Sequence, residues 1–300
     1  VGTHALFSED VIYPKLELVI IDEQHKFGVN QRETLLNKGD KADLLLLSAT
    51  PIPQTLASVI YSDTDITTIK SFPHAGRQVI SEVAAYKTKE LVKEIENALK
   101  ENRQVYIIAP KITYGKKTNV LELYDTYKKH FPSEVTLLHG QMTSEEKDES
   151  LALFKAGIKP ILIATSVVEV GIDVKNAGLM IIYEPQSFGL SSLHQLRGRI
   201  GRDGKTAKLL LVSEEEDNLK LYEFAKEDDG FKIAELDLKL RGPGELIGER
   251  QSGMPSFLYL NVVKDIALIQ NIKRDALEII NNPHVEEYRV YLKKIQDSIS

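Results

Sequence analysis

The feature that most constrains this chain is a series of short runs that are apolar at nearly every position. Leu16-Glu17-Leu18-Val19-Ile20-Ile21 ends in Asp22, Leu44-Leu45-Leu46-Leu47 ends in Ser48-Ala49-Thr50, and Gln104-Val105-Tyr106-Ile107-Ile108-Ala109 is closed by Pro110. Glu134 to His139, Ile161 to Ala164, Leu179 to Tyr183 and Ala207 to Val212 repeat the pattern. A strand with one wet face alternates polar and apolar residues. A run without that alternation needs cover on both faces, which is the condition of a central parallel strand. The segments between the runs have helical spacing instead. Thr88 to Asn102 places Leu91, Val92, Ile95, Ala98 and Leu99 along one stripe. Thr143-Ser144-Glu145-Glu146 opens a helix with an N-cap hydroxyl and early acids; it runs to about Lys155 and stops near Gly157. Leu121 to His130 and Ser191 to Arg197 also read as helices. Strands alternating with helices in this way define an α/β chain with parallel sheets flanked by helices.

The 300 residues correspond to roughly two domains at ~150 residues each. Ser71-Phe72-Pro73-His74-Ala75-Gly76-Arg77 carries proline and glycine with little periodicity and reads as a linker. This gives a first domain over 1–73 and a second over 74–213. In the first, Pro51 and Pro53 stop the leucine run, and Pro53 to Ser58 suits a helix start. From Glu214 the pattern changes, so 214–300 is a third region. A charged helix covers Glu214 to about Asp228, Phe231 to Leu240 alternates only loosely, and a final amphipathic helix covers about Val263 to Ile280. Between them lies a hook rich in glycine and charge, Arg241-Gly242-Pro243-Gly244-Glu245 and Gly248-Glu249-Arg250-Gln251-Ser252-Gly253.

Composition excludes some classes. There is no cysteine, so disulfides and thiolate metal sites are out. The apolar runs fall well short of the about 20 residues a membrane span needs. A formal net charge of -6 argues against a uniformly basic nucleic-acid coat but leaves room for a local basic groove. The opening Val1-Gly2-Thr3-His4-Ala5-Leu6, without a methionine, reads as the interior of a longer chain.

Several stretches carry chemistry. Asp22-Glu23-Gln24-His25 follows the first apolar run, and in parallel sheets ligands sit beyond the carboxyl ends of strands. Two adjacent carboxylates there can divide labour, one holding Mg²⁺ through water and the other orienting or deprotonating an attacking water. A solvated acidic loop fits the same residues. Ala164-Thr165-Ser166-Val167-Val168-Glu169-Val170-Gly171-Ile172-Asp173 also follows a strand. Thr165 and Ser166 could donate to phosphates of a nucleic-acid backbone, Gly171 permits close backbone approach, and Asp173 could accept from a ribose hydroxyl. A capped strand–helix connection is the alternative. Gln195-Leu196-Arg197-Gly198-Arg199-Ile200-Gly201-Arg202 sets three arginines among glycines. The guanidinium is planar, always charged and able to grip two oxygens, which suits a triphosphate, a nucleic-acid phosphate or plain solvation. His4, His139 and His194 show no metal-ligand spacing.

Taken together, Asp22-Glu23-Gln24-His25-Lys26-Phe27-Gly28-Val29, Ser48-Ala49-Thr50-Pro51-Ile52-Pro53, Ala164 to Asp173 and Gln195 to Arg202 resemble the motifs of superfamily 2 helicases, in their order. Val1 to Leu6 resembles the family's DNA-contacting motif before the acidic box. Leu138-His139-Gly140-Gln141-Met142 resembles a strand-loop of its second motor domain. Leu240-Arg241-Gly242-Pro243-Gly244-Glu245 with Gln251-Ser252-Gly253 resembles the translocation hook of its DNA-repair members. Where the family has threonine before the hook's second arginine, this chain has Glu249; Lys26 and Gln54 stand where arginine is commoner. The resemblance implies RecA-like sheets: part of a first motor domain, a complete second one, and a C-terminal hook with helices. It implies an ATP-driven translocase on double-stranded DNA that remodels stalled forks and recombination junctions, with ATP and Mg²⁺ between the two motor domains. In that reading Asp22 and Glu23 meet Mg²⁺, Glu23 activates water, and Gln24 and His25 complete the acidic box, with His25 linking nucleotide to DNA. Gln195, Arg199 and Arg202 complete the site, with Gly171 and Asp173 near the nucleotide. Thr3, Thr165, Ser166, Arg241, Arg250 and Gln251 face DNA. Branched or forked duplex is the implied partner, with single-stranded DNA-binding protein as another, for a monomer in the bacterial cytoplasm. The chain contains no Gly-x-x-x-x-Gly-Lys-Ser/Thr phosphate loop. The resemblance puts that loop, and a wedge domain, upstream of Val1 and implies that the 300 residues alone do not turn over ATP. Two alternatives stay open: a non-catalytic DNA-binding module, and a transcription-repair coupling translocase.

Overall fold

A computed structural model describes residues 1–8, 10–23, 29–39, 41–48, 65–69, 77–111, 118–169, 174–214, 218–248 and 265–299. The chain divides into two compact units, Val1–Thr68 with Arg241–Ser300, and Ile69–Leu240.

In the first unit, strands β1 (Leu18–Ile21) and β2 (Asp43–Leu46) pair in parallel with Leu18 opposite Asp43. Helix α1 (Val29–Leu36) lies between them in sequence. Val19 and Ile21 are buried with Leu35, and Leu16, Leu44 and Leu46 pack on them. The other face differs from the expected two-sided cover: Leu18, Ile20, Leu45 and Leu47 are exposed among the described residues. Lys38 holds the N-terminal segment down, donating to the carbonyls of Ser8 at 2.5 Å and Val11 at 2.8 Å.

The second unit holds one sheet of six described strands in the order β3-β8-β7-β4-β6-β5, all pairs parallel. These are β3 (Val79–Ala84), β4 (Gln104–Ile108), β5 (Val135–Leu138), β6 (Ile161–Ala164), β7 (Ala177–Tyr183) and β8 (Ala207–Val212). The strands with uninterrupted apolar runs, β4, β6 and β7, are the central ones and are buried on both faces. Helices α2 (Thr88–Lys100) and α3 (Val120–His130) cover one face, where Leu91, Ile95, Leu123 and Tyr127 meet Val105, Ile107, Ile163 and Ile181. Helices α4 (Ser144–Lys155), α5 (Leu190–Arg197) and α6 (Leu219–Lys226), with the first turns of α7 (Gly230–Gly248), cover the other. There Phe154, Leu193, Leu196, Phe224 and Ile233 meet Tyr106, Leu162, Met180 and Leu209. Thr143 and Glu146 form the reciprocal cap that starts α4.

Strand β3 has no counterpart among the expected elements. It is an edge strand of the sheet among the described residues, as is β5, and Ser81 and Glu82 interrupt its apolar pattern. The C-terminal region is more helical than its composition suggests. Of the charged helix expected over Glu214 to about Asp228, the described residues show α6, and Phe231 to Leu240 lies within α7. Helix α7 continues through Gly242-Pro243-Gly244, although an interior proline costs about 3 kcal/mol by losing a donor and crowding the preceding turn. The amphipathic helix expected over about Val263 to Ile280 is α8 (Ile266–Asn281), and a further helix, α9 (Glu286–Ile299), follows it. Of the expected linker Ser71 to Arg77, residues 71–76 lie outside the described residues, as does the helix start at Pro53.

Candidate functional site

Helix α5 sets the geometry of the arginine stretch. Its buried positions, Leu190, Leu193, Leu196 and Arg197, recur every three to four residues and face the sheet. Arg197 therefore points inward. It is 3% exposed and its fork is fully used: Nη1 donates to the carbonyl of Phe224 at 3.2 Å, and Nη2 to the carbonyl of Glu227 at 2.8 Å and to Nδ1 of His194 at 3.1 Å. Its guanidinium lies 4.6 Å from the centre of the Phe224 ring and pairs with exposed Asp228 at 3.3 Å. This is an anchor that ties α5 to the end of α6. Gly201 then reverses the chain. Its φ of 71° lies in the left-handed region that side chains disfavour, and its N–H donates to the carbonyl of Ala177 at 2.9 Å. Arg199 and Arg202 flank that region and stay half-buried, as does Gln195 on α5. Nε of Arg202 donates to the carbonyl of Gly198 at 3.0 Å.

A further arginine belongs to this site and was not found by sequence reasoning. Arg77 donates to the carbonyl of Arg197 at 2.5 Å and to that of Ile200 at 3.1 Å, so it grips the backbone on both sides of Arg199. Its pKa is lowered, first by burial and then by the charge of Arg202, with Asp228 opposing. No local signal marks Arg77, because its partners lie 120 and 123 residues away. His194 is held neutral: burial, then Arg197 and Arg77, depress its pKa to about 4 against the opposing Asp228 and Asp229. The cluster of Arg77, Arg197, Arg199 and Arg202 thus gathers guanidinium charge around one loop, an arrangement suited to a polyanion.

The end of β6 meets the same helix. Ser166–Glu169 forms a 3-10 turn whose buried Val168 shares a core with Leu193, Leu196 and Ile200. Thr165 is nearly buried, with its N–H donating to the carbonyl of Leu138 at 3.3 Å, while Ser166 is exposed. The fold therefore brings the threonine–serine turn beside the helix bearing Gln195. Gly171 and Asp173 lie outside the described residues.

In the first unit, Asp22 follows β1 and is exposed, and its Oδ1 accepts the Glu23 N–H at 2.8 Å. Glu23 has φ 52°, a left-handed backbone rare for glutamate and frequent at functional turns. Two adjacent carboxylates are hard oxygen donors of the kind Mg²⁺ uses alongside retained waters. Among the described residues no group of three or more histidine, aspartate or glutamate side chains could hold a metal by itself. Thr3 is exposed before the turn His4–Phe7, and Ser48 is exposed after β2. Arg241 lies on α7. Gln24, His25, Ala49, Thr50, Arg250 and Gln251 lie outside the described residues. No described helix is long and apolar enough to cross a membrane.

The family model described as helicase conserved C-terminal domain matches residues 86–204, which hold most of the second unit's sheet and the arginine stretch. The model for ATP-dependent DNA helicase RecG, domain 3, C-terminal, matches residues 227–297. ATP-dependent DNA helicase RecG of Aquifex aeolicus is 46% identical over 320 aligned residues, covering 100% of this chain and 40% of the relative. RecG of Staphylococcus epidermidis is 40% identical over 291 residues, covering 94% of this chain and 43% of the relative. The solved structure of RecG bound to a three-way DNA junction is 39% identical, with TM-score 0.66, and the match covers 90% of this chain and 36% of that one. The DUF1998 helicase MrfA bound to DNA is 15% identical with TM-score 0.52, covering 71% of this chain and 34% of that one, and shares the fold. The parallel sheet and arginine loop are those of a RecA-like helicase motor domain. The chain belongs to the RecG family of ATP-dependent DNA helicases. It spans about two fifths of the length of the curated relatives it matches.

Proposed function

We propose that this chain supplies part of the motor of an ATP-driven double-stranded DNA translocase that remodels stalled forks and recombination junctions. Of the helicase readings left open by the sequence, RecG is the one the relatives match, and a RecG 39% identical to this chain has been solved on a three-way DNA junction. The observation that carries the proposal is the division within the arginine stretch. Arg197 is buried as an anchor, while Arg199 and Arg202 are held half-buried on a loop pinned by Arg77 and Gly201. Guanidiniums held this way meet developing negative charge without first having to reorganise.

When bound, ATP would supply the phosphoryl group that passes to water, and Mg²⁺ would offset its negative charge. Asp22 holds the metal through water, Glu23 orients and deprotonates the attacking water, and Gln24 and His25 relay the state of the site. Gln195, Arg199 and Arg202 stabilise the charge on the transferring phosphoryl group, and Gly171 and Asp173 lie against the nucleotide. Thr3, Thr165 and Ser166 contact the DNA backbone, and Arg241, Arg250 and Gln251 act in the hook. Single-stranded DNA-binding protein is a proposed partner, and a monomer at the nucleoid is the proposed working form. The 300 residues contain no phosphate loop, so alone they bind DNA without turning over ATP. The test is Glu23→Gln in the full-length protein that carries this sequence. Junction-stimulated ATP hydrolysis is abolished while nucleotide binding survives; unchanged hydrolysis removes Glu23 from the mechanism.

A further inference from the structure

We infer that Arg103 and Gly178 are positioning residues for Arg202, acting through Asp203. Arg103 immediately precedes β4, in the middle of the sheet, and β7 lies between β4 and β8. The Arg103 side chain nonetheless reaches the loop that leads into β8. Its Nη2 donates to both carboxylate oxygens of Asp203, at 3.1 and 3.3 Å, and its Nη1 donates to the carbonyl of Thr206. It can do so because Gly178 on β7 has no side chain. A Cβ added there would lie 2.2 Å from Arg103 Nε, 2.4 Å from Cζ and 2.6 Å from Cδ. The guanidinium therefore crosses β7 over bare backbone.

The consequence falls on Arg202. On one side, the Gly201 N–H is bonded to the carbonyl of Ala177 at 2.9 Å. On the other, the Asp203 carboxylate is gripped by Arg103. Arg202 stands between two anchors, both resting on the first two residues of β7. Thr206, three residues further on, is held by the same rigid fork, and Asp203 Oδ1 also accepts the Lys205 N–H at 3.2 Å. Arg103 is 5% exposed, and its Nε is buried without a hydrogen-bond acceptor. A buried ion pair with an unsatisfied donor is a poor source of stability, because desolvation offsets most of the attraction. What it does provide is a fixed loop geometry, and the residue fixed is an arginine the proposed reaction uses.

This inference rests on the proposed hydrolytic role of Arg202, and the test separates the two. In the full-length protein, ATP hydrolysis is measured with a branched duplex. Arg103→Met is expected to lower kcat about 10-fold or more while KM for ATP stays within about threefold. Arg103→Lys, which keeps the charge but loses the fork, recovers part of the loss, and Asp203→Asn, which changes no volume, gives a smaller drop of the same kind. Against the residual turnover of Arg202→Gln, Arg103→Met adds little, because both variants remove one contribution. The positioning role is overturned if Arg103→Met and Asp203→Asn both keep kcat within twofold while Arg202→Gln lowers it sharply, or if the losses multiply. If Arg202→Gln itself turns over normally, the hydrolytic reading fails, and the positioning role with it.

Discussion

Nη2 of Arg197 donates to Nδ1 of His194 at 3.1 Å. Arginine has no acceptor, so Nδ1 must carry the lone pair and Nε2 the proton. Burial and the flanking Arg197 and Arg77 push the same way, bringing the imidazole pKa down to about 4 from 6.5. The folded pKa lies below the unfolded one. The corresponding stability is complete above pH 6.5 and is lost as pH falls through the window from 6.5 towards 4. The full shift is worth on the order of 3 kcal/mol, which partial exposure reduces to roughly 1–2 kcal/mol. Urea unfolding at pH 7 and pH 5 is expected to show this loss. His194→Gln is expected to flatten it, and an unchanged slope in that variant would count against a neutral His194.

The three arginines of one short stretch are expected to behave in opposite ways. Arg197→Met leaves the carbonyls of Phe224 and Glu227 without their donor and is predicted to destabilise the fold by about 2–4 kcal/mol. Arg199→Ala and Arg202→Ala remove half-buried side chains and are predicted to cost less than about 1 kcal/mol. Urea midpoints of the three variants decide this, and a similar cost at all three positions would contradict the division of labour.

Arg241 lies on α7, whose first turns pack on the sheet of the second unit through Ile233 and Leu236. Arg241→Ala in the full-length protein is predicted to leave junction-stimulated ATP hydrolysis within about threefold and to abolish fork remodelling. Normal remodelling would remove the hook from the mechanism.

The sequence made the centre of the fold legible and its margins obscure, for physical reasons. Strands β4, β6 and β7 are covered on both faces, so nearly every position is apolar and the run itself is the signal. The edge strand β3 has one neighbour and admits Ser81 and Glu82, which erased the signal. Helix α1 carries Asn30, Gln31, Arg32 and Glu33 in sequence and offers no clear apolar stripe. The arginine stretch was visible as a motif, yet nothing in its spelling separates Arg197 from Arg199 and Arg202. The separation comes from the end of α5: Arg197 closes the helix on its buried stripe, whereas Arg199 and Arg202 lie in the loop beyond it. Arg77 and Arg103 were invisible because each acts on backbone or carboxylate about a hundred residues away.

The central claim is that this chain provides arginines to an ATP-hydrolysing motor on branched DNA, and one measurement tests it most directly. Junction-stimulated ATP turnover by the full-length protein is compared for wild type and Arg202→Ala, alongside binding of a non-hydrolysable ATP analogue. The account predicts a fall in kcat of about 10³-fold or more, with analogue binding changed only a few-fold. Turnover within threefold of wild type would contradict it.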